Sequence, residues 1–214
     1  MQAGKSTLLL KLVEQSERVF ERPVRQFVYA APKAYSKDSK YVSALEAVVR
    51  KGNKVLHVFE KVPTVEEVTE LFPVGDKLLI LDDLTSFKKG ELDHLTELTS
   101  YYSHHANVSL LYSLQNPFER NANCNLVTTN RNATGKCIFY QLVDFRLYQI
   151  LNSQLFPEKK NFIVRCLDEA KLEKLNYIYV NTHPQSLLPR RHICYTGLFQ
   201  EWNNPSPKFF DLES

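Results

Sequence analysis

Gly4-Lys5-Ser6-Thr7 opens directly onto Leu8, Leu9, Leu10, Leu12 and Val13. These residues match the closing half of the pattern G-x-x-x-x-G-K-[ST], a loop whose backbone N–H groups cradle phosphates at a helix N-terminus. In that chemistry Lys5 reaches the β and γ oxygens and the Ser6 hydroxyl coordinates Mg2+, with Gly4 and Thr7 completing the phosphate contact. The first glycine of the pattern would lie before Met1, so the chain carries half of the loop. A short Gly-Lys-Ser-Thr also serves as an ordinary helix cap, and that reading stands beside the first.

Two further clusters suit the same chemistry. Leu78-Leu79-Ile80-Leu81 ends in Asp82-Asp83. An apolar run closed by carboxylates delivers acid to the C-terminal edge of a parallel sheet, where open α/β folds bind ligands. Asp82 is assigned to Mg2+ and Asp83 to activation of the attacking water; the plain alternative is a strand-end turn. Val108 to Leu114 is a second apolar run, closed by Gln115-Asn116-Pro117. An amide at that edge contacts a γ-phosphate or orients water, the role of a sensor, while Asn-Pro by itself makes a turn. Arg120 and Arg131 lie in the polar run up to Lys136; either suits a trans-acting arginine that stabilises phosphate charge, and either suits plain surface exposure. Arg131 is the assigned candidate. His104-His105 has no third ligand in view and reads as a helix-end cation rather than a metal site.

The elements that must position these groups alternate. Leu8 to Val13 is an apolar stripe at helical spacing, stopped by Arg22-Pro23. Gln26 to Ala31 reads as a buried strand, Tyr41 to Val49 as an amphipathic helix ended by Gly52-Asn53, and Lys54 to Phe59 as the next strand. Pro63-Thr64 with Glu66-Glu67 begins a short helix with acids in its first turn. Helix is expected over 92–102, 145–155 and 162–172, and strand over 136–142 and 177–180. Strands alternating with helices predict a mainly parallel α/β sheet.

Composition excludes several classes. The 214 residues are 43% hydrophobic and 24% charged, which rules out a disordered or fibrous chain. No stretch approaches the roughly 18 apolar residues of a membrane span, so no membrane partner is expected, and Met1 opens no signal peptide. The four cysteines are far apart without a CxxC, which points to free thiols in an intracellular setting rather than zinc or disulfides. A net charge of +3 neither demonstrates nor forbids a nucleic-acid partner.

GKSTLLLKL, LLILDDL and SHHANVSLLYSLQN together resemble the packaging-type ATPases of Maverick/Polinton elements and adintoviruses, which are related to the poxvirus packaging ATPase and the FtsK/HerA superfamily. The likeness continues through VDFRLYQILNSQLFP and the Tyr177-Ile178-Tyr179-Val180 segment, covering Gly4 to about Phe199. It implies a P-loop NTPase of the additional-strand type: an ATPase domain over 1–200, whose first, central strand lies outside the chain, and a tail over 201–214. It also implies ATP and Mg2+ as cofactors, and a homo-oligomeric ring that drives double-stranded DNA into a capsid. The other partner would be a capsid or portal protein, and the place the nucleus or the virus assembly site. The family's Arg-Thr step is replaced near Thr128-Thr129, and its Asn-Pro-Arg-Asp turn by Leu142-Val143-Asp144-Phe145-Arg146. Those departures motivate a second expectation, an inactive remnant serving as a binding scaffold. A small-molecule kinase is a weaker third, since no arginine-rich lid is evident.

Overall fold

The computed structural model describes residues 4–32, 39–87, 89–92, 94–99, 107–115, 118, 120–121, 124–125, 133–140, 145–172, 177–189, 193–196 and 208–212. The chain divides into two compact units, Ser6–Asn132 and Ala133–Ser214 with Met1–Lys5.

The first unit is built on four parallel strands. These are β1 (Gln26–Ala30), β2 (Val55–Phe59), β3 (Lys77–Leu81) and β4 (Val108–Tyr112), in the order β2-β1-β3-β4. The pairings Tyr29↔Ile80 and Ile80↔Leu111 set the register. Parallel strands need both faces covered, and β3 is accordingly buried along its whole length. Its one polar member, Lys77, turns its ammonium back to the Gly75 carbonyl, 3.1 Å away.

Alternation along the strands sends Phe27, Tyr29, Leu78 and Ile80 to one face, and Val28, Ala30, Leu79 and Leu81 to the other. The first face packs Leu9 and Val13 of α1 (Lys5–Glu14), and Val42, Leu45 and Val49 of a long amphipathic helix. Between them lies α2, the short helix Ser16–Val19. The long helix, α3 (Lys40–Lys51), starts where Ser39 accepts a hydrogen bond from the Val42 amide at 3.1 Å and ends at Gly52, followed by Asn53 at φ 50°. The second face packs Val68 of α4 (Val65–Leu71) together with Leu84, Phe87, Leu92, Leu95 and Leu98. Thr64 and Glu67 form a reciprocal capping box at the head of α4, with bonds of 3.2 and 2.8 Å. The sheet therefore lies between helical layers.

The helix expected over 92–102 is broken in its described part: a tight turn at Lys89–Leu92, one α-turn, α5 (Leu95–Glu97), and a wider turn at Leu98-Thr99. Apolar spacing alone did not distinguish a continuous helix from this sequence of turns. A two-stranded ribbon pairs β5 (Arg120–Asn121) with β6 (Cys124–Asn125).

The second unit departs from the parallel expectation. Strands β7 (Gly135–Phe139), β8 (Tyr177–Asn181), β9 (Cys194–Thr196) and β10 (Phe209–Phe210) pair antiparallel throughout, in the order β10-β9-β8-β7. Between β7 and β8 the chain forms α6 (Phe145–Leu155) and α7 (Phe162–Leu172). A hairpin of two helices returns the chain along the opposite direction, where one crossover helix would have kept it parallel. Asn152 ties that hairpin: its Nδ2 donates to the Phe156 and Lys159 carbonyls at 3.3 and 2.6 Å, and its Oδ1 accepts from the Ile163 amide at 2.9 Å. Among the described residues no helix is long and apolar enough to cross a membrane.

Candidate functional site

Polar side chains of the first unit converge where β3 and β4 end. Alternation past Leu81 turns Asp82 toward the face that carries α1 and α3. Its Oδ1 accepts a hydrogen bond from the Ser113 hydroxyl at 2.5 Å, and its Oδ2 accepts one from the Tyr29 hydroxyl at 2.9 Å. Three neighbouring strands thus meet on one carboxylate: β3 supplies the acid, β1 the phenol, and the residue after β4 the serine. Ser113 also accepts from the Asp83 amide at 2.8 Å, while its carbonyl accepts from the Leu84 amide at 3.1 Å.

Asp83 occupies the left-handed region, with φ 51° and ψ 53°. Few non-glycine residues adopt it, and Asp is among the most tolerant because its side chain bonds locally. Here Oδ1 accepts from Thr85 Oγ1 at 3.1 Å and from Gln115 Nε2 at 3.0 Å, and Oδ2 accepts from Ser86 Oγ at 2.5 Å. Hydroxyl and amide donors thereby offset the repulsion between adjacent carboxylates.

Tyr29 and Tyr41 form a tilted ring pair with centroids 5.7 Å apart. Burial, followed by the nearby Asp82 charge, pushes both phenols well above the ordinary tyrosine range, so both remain neutral hydroxyls. Tyr29 spends its proton on Asp82, whereas the buried Tyr41 hydroxyl has no hydrogen-bond partner among the described residues. A polar atom in that state costs about 1–3 kcal/mol.

The far end of α1 is fixed at the opposite edge of the sheet. Lys54, just before β2, donates from Nζ to the carbonyls of Val13 at 3.0 Å and Glu14 at 3.4 Å, and to Ser16 Oγ at 2.9 Å. Ser16 in turn donates to the Val24 carbonyl at 3.4 Å, ahead of β1. The C-terminal end of α1 is therefore moored at the amino edge of the sheet. From there the helix packs on this face of the sheet through Leu9 and Val13.

The structure thus brings Asp82, Asp83 and Gln115 together, with Ser6 and Thr7 at the head of a helix of the same unit. Gly4 and Lys5 belong to the second unit. Gly4 has φ +83°, a conformation that favours glycine ahead of α1. Arg131, Asn116, His104 and His105 lie outside the described residues, and Arg120 is described only in its backbone. Tyr29, Tyr41, Thr85, Ser86 and Ser113 were not singled out from sequence. Ser113 carried the one available signal, a polar residue two places before Gln115 on the same side of an extended run; Tyr29 required the β1–β3 register.

No group of three or more His, Cys, Asp or Glu side chains gathers among the described residues. The donor set at the edge is all oxygen, from Asp82, Asp83 and hydroxyls, which suits a hard cation such as Mg2+ that keeps much of its water. The arrangement is an acidic, hydroxyl-lined edge of a parallel α/β sheet. Comparison of the chain with protein-family models, with curated proteins and with solved structures gives no match.

Proposed function

We propose that this chain is the ATP-binding and hydrolysing part of a DNA-packaging or translocating ATPase, a P-loop NTPase of the additional-strand type. The observation that carries this reading is the meeting of Asp82, Asp83 and Gln115 at the sheet's carboxyl edge, with Ser6 and Thr7 on a helix of the same unit. On this reading Gly4, Lys5 and Thr7 hold the phosphates of ATP. Ser6 and Asp82 hold Mg2+, which when bound supplies charge neutralisation of the phosphates. Asp83 takes the proton of the attacking water, Gln115 orients the γ-phosphate or that water, and Arg131 acts from a neighbouring protomer of a ring. Double-stranded DNA and a capsid or portal protein are the corresponding partners, at a nuclear or virus assembly site. This fuller assignment rests on the likeness of the three sequence segments to packaging ATPases.

The test is Mg2+-dependent ATP turnover by the full chain, with and without duplex DNA. Turnover stimulated by DNA and lost in Lys5→Ala and Asp83→Asn is the expected result. Absence of nucleotide binding by the wild-type chain would overturn the reading.

One observation favours an inactive scaffold instead. Both oxygens of Asp83 are already occupied, by Thr85, Gln115 and Ser86. An active base would have to give up some of these bonds to reach a water. A wild-type chain that binds ATP without hydrolysing it is the outcome that selects this second reading.

A further inference from the structure

We infer that the Tyr29–Tyr41 pair builds the Asp82 side of the cation site: Tyr29 is a positioning residue that fixes the carboxylate, and the Tyr41 hydroxyl is a contact for the water shell of the bound cation. The inference rests on the nucleotide reading above and adds two residues that no sequence motif marks.

Asp82 can turn about two side-chain torsions, and a cation site needs one orientation. Two donors from different strands remove that freedom. Ser113 holds Oδ1 at 2.5 Å and Tyr29 holds Oδ2 at 2.9 Å. Each oxygen keeps a remaining lone pair, so the carboxylate can accept from metal-bound water without breaking either bond. Tyr29 is itself rigid, since its ring lies in the core between the sheet and the α1 and α3 helices at 2% exposure. Outer partners of this kind orient ligands around a metal.

Tyr41 supplies the second observation. Its ring packs on that of Tyr29 at 5.7 Å, the Asp82 charge is felt at its hydroxyl, and that hydroxyl is buried without a partner among the described residues. A phenol used only for packing would be replaceable by phenylalanine at a gain in stability, because the unpaired polar atom disappears. A phenol whose partner arrives with a ligand keeps its hydroxyl at that cost. Its chemistry, one O–H donor and two acceptor lone pairs, matches a metal-bound water, which donates strongly.

The experiment uses Mn2+ as the probe, with ATP, on the full chain. Free and bound Mn2+ are separated by their paramagnetic resonance signals, and Mg2+ is added as competitor. Wild type, Tyr29→Phe, Tyr41→Phe and Ser113→Ala are compared, each with a thermal melt. The expected result is Mn2+ affinity reduced about tenfold or more in Tyr29→Phe and Tyr41→Phe, the range for lost outer partners of a metal ligand. Tyr41→Phe is expected to melt no lower than wild type, so its loss of affinity cannot come from misfolding. Should Tyr29→Phe fail to fold, Ser113→Ala tests the other anchor of the same carboxylate. Mn2+ affinities within twofold of wild type in the phenylalanine variants, with wild type binding Mn2+ and ATP, would overturn this inference and leave the nucleotide reading intact. Failure of wild type to bind Mn2+ with ATP would overturn both.

Discussion

Replacing Ser113 by alanine removes more than one hydroxyl. Its Oγ donates to Asp82 Oδ1 at 2.5 Å and accepts from the Asp83 amide at 2.8 Å, and the side chain is buried. A hydrogen bond to an ionised group contributes about 1.5–3 kcal/mol net. The Asp83 amide loses its acceptor as well; Asp83 is half-buried, so water recovers part of that loss and about 1 kcal/mol is charged to it. The expected destabilisation is about 3 kcal/mol, a large share of the roughly 5–15 kcal/mol available to a folded chain. Urea unfolding followed by circular dichroism reads it directly, as a midpoint lowered by about 1.5 M for a slope near 2 kcal/mol per molar. A double-mutant cycle with Asp82→Ala isolates the carboxylate bond, with coupling expected at about 1.5–3 kcal/mol. A single-variant loss below about 1 kcal/mol, or coupling within about 0.5 kcal/mol of zero, would refute the claim that Ser113 anchors Asp82.

Four other predictions follow from packing and charge. Thr64→Ala removes the capping box of α4 and is expected to cost about 1 kcal/mol in the same urea assay. Lys61, whose Nζ lies 2.6 Å from Glu67, is the first cause of a lowered Glu67 pKa, followed by the Thr64 amide. A lowered carboxyl pKa stabilises above its unfolded value and ceases to do so as pH falls through the folded one. The small deficit of Lys61→Ala, under about 1 kcal/mol for so exposed a pair, is therefore expected near neutrality and to vanish in acid. Asn152→Ala removes the side-chain acceptor of the buried Ile163 amide and one donor each from the Phe156 and Lys159 carbonyls, and is expected to cost about 3 kcal/mol or to prevent folding of that unit, read by melting temperature and soluble yield. Burial lowers Lys136 to about 8. The unfolded chain binds the proton more tightly, so this residue's penalty is greatest at and below neutrality and fades as pH rises from about 8 toward the ordinary lysine value. Lys136→Met is expected to melt above wild type at pH 7, with the gap closing in alkali; a gap independent of pH would sink the idea.

The first unit was legible because its signals are redundant. Leu78 to Leu81 is apolar throughout, which suits a strand buried on both faces, and Asp82-Asp83 marks where burial ends. Gly52-Asn53 and Thr64–Glu67 place helix ends by backbone chemistry, independent of tertiary structure. The second unit was misread in strand direction because direction is decided by what joins the strands. Phe145–Leu155 and Phe162–Leu172 read as helices, but that they turn back on each other depends on Asn152 reaching Phe156, Lys159 and Ile163. No local pattern announces three such bonds. The site was legible to the same depth: acids and an amide at strand ends are visible in sequence, whereas the Tyr29 hydroxyl meets Asp82 across 53 positions, through a register fixed only when the sheet forms.

Asp83 is where the two functional readings separate physically. Its carboxylate closes a local cap over Leu84–Ser86, and the left-handed backbone at φ 51° is held by that cap together with the Ser113 bond to its amide. Thr85 and Ser86 are single rotatable hydroxyls at a half-exposed edge, and water replaces such donors at little cost, about 0.5–1.5 kcal/mol each. Gln115 differs, since its amide comes from another strand and spans the gap at 3.0 Å. A side chain that orients a phosphate or a water cannot also keep this bond in full. An active ATPase therefore requires that nucleotide binding draw Gln115 off Asp83, whereas a scaffold requires that it stay. The separation appears in one variant. Gln115→Ala in an ATPase loses turnover while nucleotide binding persists; in a scaffold it loses only the modest stability of one exposed bond to a carboxylate, under about 1.5 kcal/mol. An unchanged turnover rate in Gln115→Ala, measured on a chain that hydrolyses ATP, would refute the sensor assignment while leaving Asp82 and Asp83 in their roles.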